Sequence, residues 1–171
     1  MNDFPGQGTA LVGVMDAFWQ PKSYVTAKEF REFCGPSVPL IRVPKFAYTK
    51  DETLVASVEA AHFDRLPIPG IEPEWALGNV RGKTVAEGKL ARLVVPYGSN
   101  IPLGEIKIPL SGLEAPGVYT LAVRLGTAVN SWNFRVYPAV TGGTAEAGVR
   151  VVRDLDPETA AFLQNGGRAI L

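Results

Sequence analysis

The residues of this sequence that could do chemistry are few, and most stand alone. His62 is the only histidine and Cys34 the only cysteine, so neither a Ser/His/Asp relay nor a zinc cluster can be assembled around them. His62 ends an alternating segment and reads as a packed or half-exposed structural residue. Cys34 closes a short apolar stripe and reads as core, with only Lys28 and Arg31 nearby in sequence to activate a thiolate. Glu72 and Glu74 can be posed as a carboxylate pair. Positions i and i+2 of a strand share a face roughly 6–7 Å apart, a separation at which two carboxylic acids can act on a glycosidic bond. Pro73 between them, at the start of a strand, favours a solvated face instead. Gly6-Gln7-Gly8 lacks the third glycine of a dinucleotide fingerprint and follows no clear strand, which argues against phosphate binding. The aromatic set Phe4, Phe18, Trp19 and Tyr24 remains. Such rings either stack on sugars or seal a seam between domains.

The elements that would position these residues are mostly strands. Gly117 to Pro138 is the organising stretch: Tyr119, Leu121, Val123 and Leu125 alternate with polar or small neighbours, and Trp132, Phe134 and Val136 do the same. This period of two predicts two strands with one apolar face, joined by a five-residue loop over 126–130. A lone hairpin is unstable in water, so a second sheet must cover it. Glu52 to Phe63 alternates and predicts a central strand, with Leu54, Ala56, Val58 and Ala60 on one side. Leu40 to Val43, between Pro39 and Pro44, predicts an edge strand. Residues 67–70 predict a break, Ile71 to Leu77 a strand around Trp75, and Thr84 to Val95 one strand or two split at Gly88. Tyr97 to Asn100 predicts a loop, and Glu105 to Leu110 a strand with Ile106, Ile108 and Leu110 inward. About seven short strands with frequent turns predict a mainly β fold, an immunoglobulin-like antiparallel β-sandwich with short helical segments at both ends. No cysteine pair can bridge its sheets. Trp75, Trp132 and Phe134 must supply the burial that a disulfide would otherwise reinforce.

The first helix is announced by Thr26-Ala27-Lys28-Glu29, a capping box, followed by Phe30, Phe33 and Cys34 as an apolar stripe and by Gly35-Pro36 as a stop. After Pro138 the composition changes. Residues 141–148 have linker character. Val149 to Val152 predicts a strand, and Asp156 as N-cap with Pro157 at the first position predicts a helix. Arg168 to Leu171 predicts another strand. The resulting partition is 1–36, 37–140 for the sandwich, and 141–171 for a linker and the start of a further α/β domain. Both ends read as cut from a larger multidomain protein.

Composition sets outer limits. Seventeen basic residues balance seventeen acidic ones, so no net field draws the chain to nucleic acid or to an anionic membrane. No apolar run reaches the length of a membrane span, and Pro5, Gly6 and Gly8 interrupt any leader-like segment. No metal or cofactor is expected.

Several stretches together carry a resemblance: residues 3–13 (DFPGQGTALVG), 16–19 (DAFW), 29–34 (EFREFC), 38–40 (VPL) and 131–138 (SWNFRVYP). Over most of residues 3–138 the chain resembles the region after the catalytic barrel in bacterial β-galactosidase-like glycoside hydrolases of the family 2 type. The resemblance implies that 1–36 is the last loop and helix of a (β/α)8 barrel and 37–140 the sandwich that follows. The two catalytic carboxylates would then lie upstream of Met1, leaving no catalytic residue in this chain. It further implies Asp3, Phe4, Gln7 and Trp19 as substrate-contact candidates beside a barrel mouth, with an interdomain seam as the alternative role for the aromatics. Partners would be carbohydrate, through the parent enzyme, and the remaining domains of the same polypeptide. The location would be periplasmic or secreted in a bacterium. The function expected is that of a non-catalytic accessory sandwich, with a carbohydrate-binding module using exposed aromatics such as Tyr97, Trp75 or Tyr137 as the alternative.

Overall fold

Alternation along the chain decides where the core lies. In the computed structural model, which describes residues 13–139 and 148–170, the strand β3 (Thr53–His62) buries Leu54, Ala56, Val58, Ala60 and His62, every second residue. It lies between β1 (Ser37–Arg42) and β8 (Gly98–Pro109), antiparallel to both. The facing sheet has five strands in the order β2 (Ala47–Thr49), β10 (Ala128–Tyr137), β9 (Gly117–Leu125), β5 (Glu74–Asn79) and β6 (Thr84–Lys89). All neighbours in it are antiparallel except β2, which runs parallel to β10. A small antiparallel pair, β4 (Ile68–Ile71) with β7 (Leu93–Val95), completes the unit. The fold is a mainly β sandwich.

Its core joins both sheets in one apolar cluster. From β9 come Tyr119, Leu121, Val123 and Leu125, from β10 Phe134 and Val136, and opposite them Leu54, Val58, Ile106 and Ile108. Phe134 is fully buried, flanked by the stacked ring of Phe46 at 5.3 Å and by Tyr48 at 6.1 Å between centroids. Burying such a ring is worth roughly 1.5–3 kcal/mol. Trp75 and Trp132 are only partly buried and pack against the cluster from its margin. Much of the burial that the sequence assigns to three large rings therefore falls to Phe134 and the aliphatic residues.

Two buried polar side chains tie the elements together. Asn130 on β10 donates through Nδ2 to the Pro39 carbonyl of β1 at 3.1 Å, while its Oδ1 accepts from the Ser131 amide at 2.9 Å. His62 contacts the Leu66 carbonyl through Nε2 at 2.8 Å, so that nitrogen carries the proton, and Nδ1 accepts the Ser37 hydroxyl at 2.8 Å. The histidine clamps the end of β3 to the start of β1 and to the following loop. With both ring nitrogens occupied, it is a structural residue.

Several boundaries differ from the sequence expectation, for identifiable reasons. The β9–β10 loop is a two-residue turn, because Leu125 pairs directly with Ala128. Gly126, with φ of 63°, supplies the left-handed first position that such tight hairpins favour. The 84–95 stretch splits at Leu90–Arg92, not at Gly88, since Gly88 pairs with Trp75 inside the sheet. Its lack of a side chain is required there, as a Cβ would sit 2.8–2.9 Å from the Trp75 indole. Gly98 to Asn100 belong to β8 rather than to a loop, and Ile68–Ile71 is a short strand rather than a break. The edge strand starts at Ser37 and includes Pro39. The ten strands from β1 to β10 outnumber the roughly seven expected, since β4 and β7 form a sheet of their own and the short β2 adds to the larger sheet.

The helix α1 (Ala27–Phe33) has the anticipated capping box: the Thr26 hydroxyl accepts from the Glu29 amide at 3.2 Å and Glu29 Oε2 accepts from the Thr26 amide at 2.8 Å. Its apolar stripe is covered only in part: Phe30 is half-buried. No residue of α1 is buried, Phe33 is exposed, and Cys34 is exposed rather than core. Phe30 and Phe33 rest edge to face on each other at 5.2 Å.

Contacts divide the chain into two compact units, Met1–Pro138 and Ala139–Leu171. In the second, β11 (Val149–Val151) and β12 (Arg168–Ile170) are parallel and joined by the helix α2 (Pro157–Gln164). Asp156 caps α2 by accepting from the Thr159 amide at 2.7 Å, which holds its carboxyl below the ordinary range. Arg150 lies over the Phe162 ring at 4.3 Å. Most of the linker-like stretch 141–148 falls outside the described residues.

The core assignment predicts a graded response. Phe134→Ala should cost about 3–5 kcal/mol, and Trp132→Ala, at the margin, distinctly less. Thermal melts of the two variants check this; equal losses, or a larger loss at Trp132, would contradict the placement of the core.

Candidate functional site

The described part of the candidate site is a short loop before α1. Met15 and Pro21 form an isolated antiparallel bridge, and the Lys22 amide donates to the Val14 carbonyl at 3.0 Å, so the chain doubles back on itself over 14–22. Asp16 organises the turn. Its Oδ1 accepts from the amides of Phe18 at 2.8 Å and Gln20 at 2.9 Å, while its own amide donates to the Gln20 carbonyl at 2.9 Å. Short acidic side chains favour this kind of local closure.

The closure forces Trp19 into the left-handed region at φ of 64°. A large side chain rarely adopts that conformation, and the cost is of order 1 kcal/mol or more. Neither ring at the tip repays it by burial: Phe18 is 82% exposed and Trp19 68% exposed. Tyr24 is also exposed, its hydroxyl donating to the Gly13 carbonyl. The loop therefore presents two rings to solvent on a braced backbone. Asp3, Phe4 and Gln7 lie outside the described residues, so Trp19 is the candidate contact whose surroundings can be stated.

The carboxylates raised by the sequence are surface ion pairs. Glu72 pairs with Arg92 at 3.1 Å and Glu74 with Lys89 at 2.9 Å. Lys89 holds the Glu74 carboxyl below its ordinary 4.5 by hydrogen bonding and by charge, and Arg124 adds a smaller pull. Glu74 in turn raises Lys89 above its ordinary 10.5. Such exposed pairs are close to neutral for stability. Among the described residues, no group of three or more His, Cys, Asp or Glu side chains is placed to hold a metal ion.

The other exposed rings do not form a platform. Tyr97 and Phe63 touch at 5.2 Å but stand at 88° to each other, and Tyr137 is half exposed at the end of β10. Trp75 and Trp132 lean on the core. Sequence reasoning placed the rings but could not fix these angles, which depend on pairing between distant strands.

Residues 52–138, running from the start of β3 past the end of β10, match the family model described as Domain of unknown function (DUF8488). The chain belongs to that family. Its match covers most of the sandwich and stops short of the Trp19 loop, β1 and α1. Among curated proteins, none matches the chain. Solved structures with partial likeness include the native conformation of Escherichia coli α2-macroglobulin, at 14% identity and TM-score 0.46, covering 59% of this chain and 6% of that one. A Parabacteroides merdae β-glucuronidase is 18% identical with TM-score 0.40, covering 59% of this chain and 14% of its own. The Bacillus subtilis sporulation control protein Spo0M is 12% identical with TM-score 0.41, covering 61% of this chain and 50% of its own. The chain thus spans a small part of the first two proteins and half of the third.

Two outcomes follow from this geometry. Trp19→Gly should leave the melting temperature unchanged or raised, because glycine relieves the backbone at φ of 64° and little packing is lost. A clear drop would mean that the ring supports the fold. For the Glu74–Lys89 pair the signs are opposite. The lowered Glu74 contributes above its ordinary pKa and loses that contribution as pH falls through its folded value. The raised Lys89 contributes below its ordinary pKa and loses it as pH rises through its folded value. Carboxyl titration by NMR should find Glu74 below 4.5 in the wild type and back near it in Lys89→Met.

Proposed function

We propose that this chain is a non-catalytic accessory β-sandwich of a multidomain, β-galactosidase-like bacterial glycoside hydrolase. Its role is to pack against the catalytic domain and support that domain's last loop. The parent would act on glycosidic bonds of carbohydrate in the periplasm or outside the cell. The resemblance of residues 3–138 motivates the family, and one observation supports an accessory role over a module that binds carbohydrate through exposed aromatics. Among the described residues, Trp75 and Trp132 of the sandwich lean on the core, Phe63 and Tyr97 stand at right angles, and Tyr137 is a single half-exposed ring, whereas an aromatic sugar platform needs coplanar exposed faces. The rings left exposed near the start of the chain, Phe18, Trp19, Tyr24 and Phe33, suit either a seam with the preceding domain or, for Trp19, contact with substrate there.

Two measurements test the reading. The 171-residue chain should turn over no nitrophenyl glycoside; turnover abolished by Glu72→Gln or Glu74→Gln would overturn it. Sequencing the gene upstream of the Met1 codon should find an open frame encoding a (β/α)8 barrel with two carboxylic acids. An in-frame stop directly upstream would equally overturn it.

A further inference from the structure

The outward face of the five-stranded sheet holds a trough whose composition is set by strand register. Trp75, Leu77 and Val123 point to the core side, so their neighbours Glu74, Ala76, Ala122 and Arg124 point outward. Ala76 is paired with Ala122 on one side and with Glu87 on the other, and Glu74 with Arg124 and with Lys89. The two alanines lie side by side as a floor, and four charged side chains stand around them. The trough, open to solvent and bordered also by Trp75, Gly88 and Val129, holds about 400 Å³, within the size range of small-molecule sites.

The charges decide what class of ligand fits. Glu74 and Lys89 neutralise each other at 2.9 Å. Arg124 and Glu87 make no hydrogen bond or ion pair among the described residues. The rim therefore carries two carboxylates and two cations, which sum to zero, with the exposed Arg124 guanidinium, which also acts on Glu74 through space, and the exposed Glu87 carboxylate on the two sides of the alanine floor. An anion would meet Glu87 and Glu74, and a cation Arg124 and Lys89. A neutral ligand dense in hydroxyls meets neither penalty: one hydroxyl can accept from Arg124 while another donates to Glu87, and the alanine methyls can lie under the C–H face of a ring.

We infer that this trough is a binding site for a neutral saccharide, held by hydrogen bonds and without an aromatic platform. The inference goes beyond the accessory role proposed above and uses neither the exposed rings nor the Trp19 loop. With no stacked ring, affinity is weak, a dissociation constant on the order of 1–10 mM.

The test is an NMR titration of the whole ¹⁵N-labelled chain with lactose, with cellobiose and, separately, with glucuronate. At least one of the neutral disaccharides should give saturable shifts confined to the amides around Ala76, Gly88 and Ala122. Arg124→Ala should weaken that binding at least about fivefold, and Ala122→Leu, which fills the floor from the solvent side, should abolish it while spectra elsewhere stay unchanged. Silent amides with both disaccharides up to about 50 mM would overturn the site, as would shifts that persist in Ala122→Leu. Shifts with glucuronate alone would replace it with an anion site at Arg124. Turnover of a nitrophenyl glycoside would defeat the accessory reading and leave this site standing, and silent amides would do the reverse.

Discussion

Burial of Phe134 between two sheets is the contact on which the remaining structure depends. The chain has one cysteine, so no covalent bridge holds the layers, and the free energy must come from apolar area removed from water. Phe134 touches the aromatic rings of both the β2 side and the loop before it, and β10 on which it sits pairs with β9 along nearly its whole length. Because the side-chain period is two, fixing Phe134 inward also fixes Asn130, Trp132 and Val136 on the same side, and it sends Ser131, Asn133 and Arg135 to solvent. The register of β9 against β5 carries that choice across the sheet, so the trough above Ala76 and Ala122 is a distant result of one buried ring.

Much of this was legible in the sequence, because alternation in β3, β8, β9 and β10 is a direct print of burial. What was not legible has particular causes. Asn130 looks like a turn residue, yet its amide is used as a buried donor to the Pro39 carbonyl 91 residues away, and no local rule reveals a partner so distant. Gly88 looks like a break, yet it is the only residue type that lets the Trp75 indole lie across β6. Gly98 and Asn100 have turn character and positive φ, and β8 absorbs them through an irregular register opposite Ala60 and His62. Cys34 and Phe33 follow a helical stripe faithfully, but a stripe gives only the face that could be buried, and in the structure both are exposed while Phe30 is half-buried.

The candidate contact at Trp19 shows a similar limit. Sequence types picked out an aromatic residue, but not the Asp16 brace or the left-handed backbone that sets the indole at a tip. Asp16 carried no signal of its own beyond being a short acid three residues before it. The structure brings Asp16, Phe18 and Trp19 into one turn, and leaves Tyr97 and Phe63 as a perpendicular pair elsewhere.

Pro39 has a consequence for how the molecule behaves among copies of itself. It lies in β1, the end strand of the three-stranded sheet, the kind of position where an open row of backbone donors and acceptors invites a foreign strand to add on, but here Val38 and Pro39 are buried. Proline has no amide hydrogen to give, and its carbonyl is already engaged by Asn130. An incoming strand therefore meets a gap in the hydrogen-bond ladder in the middle of the edge, and growth by edge-to-edge stacking is interrupted there. The same carbonyl that fastens the two sheets together is thus one acceptor fewer for a foreign strand.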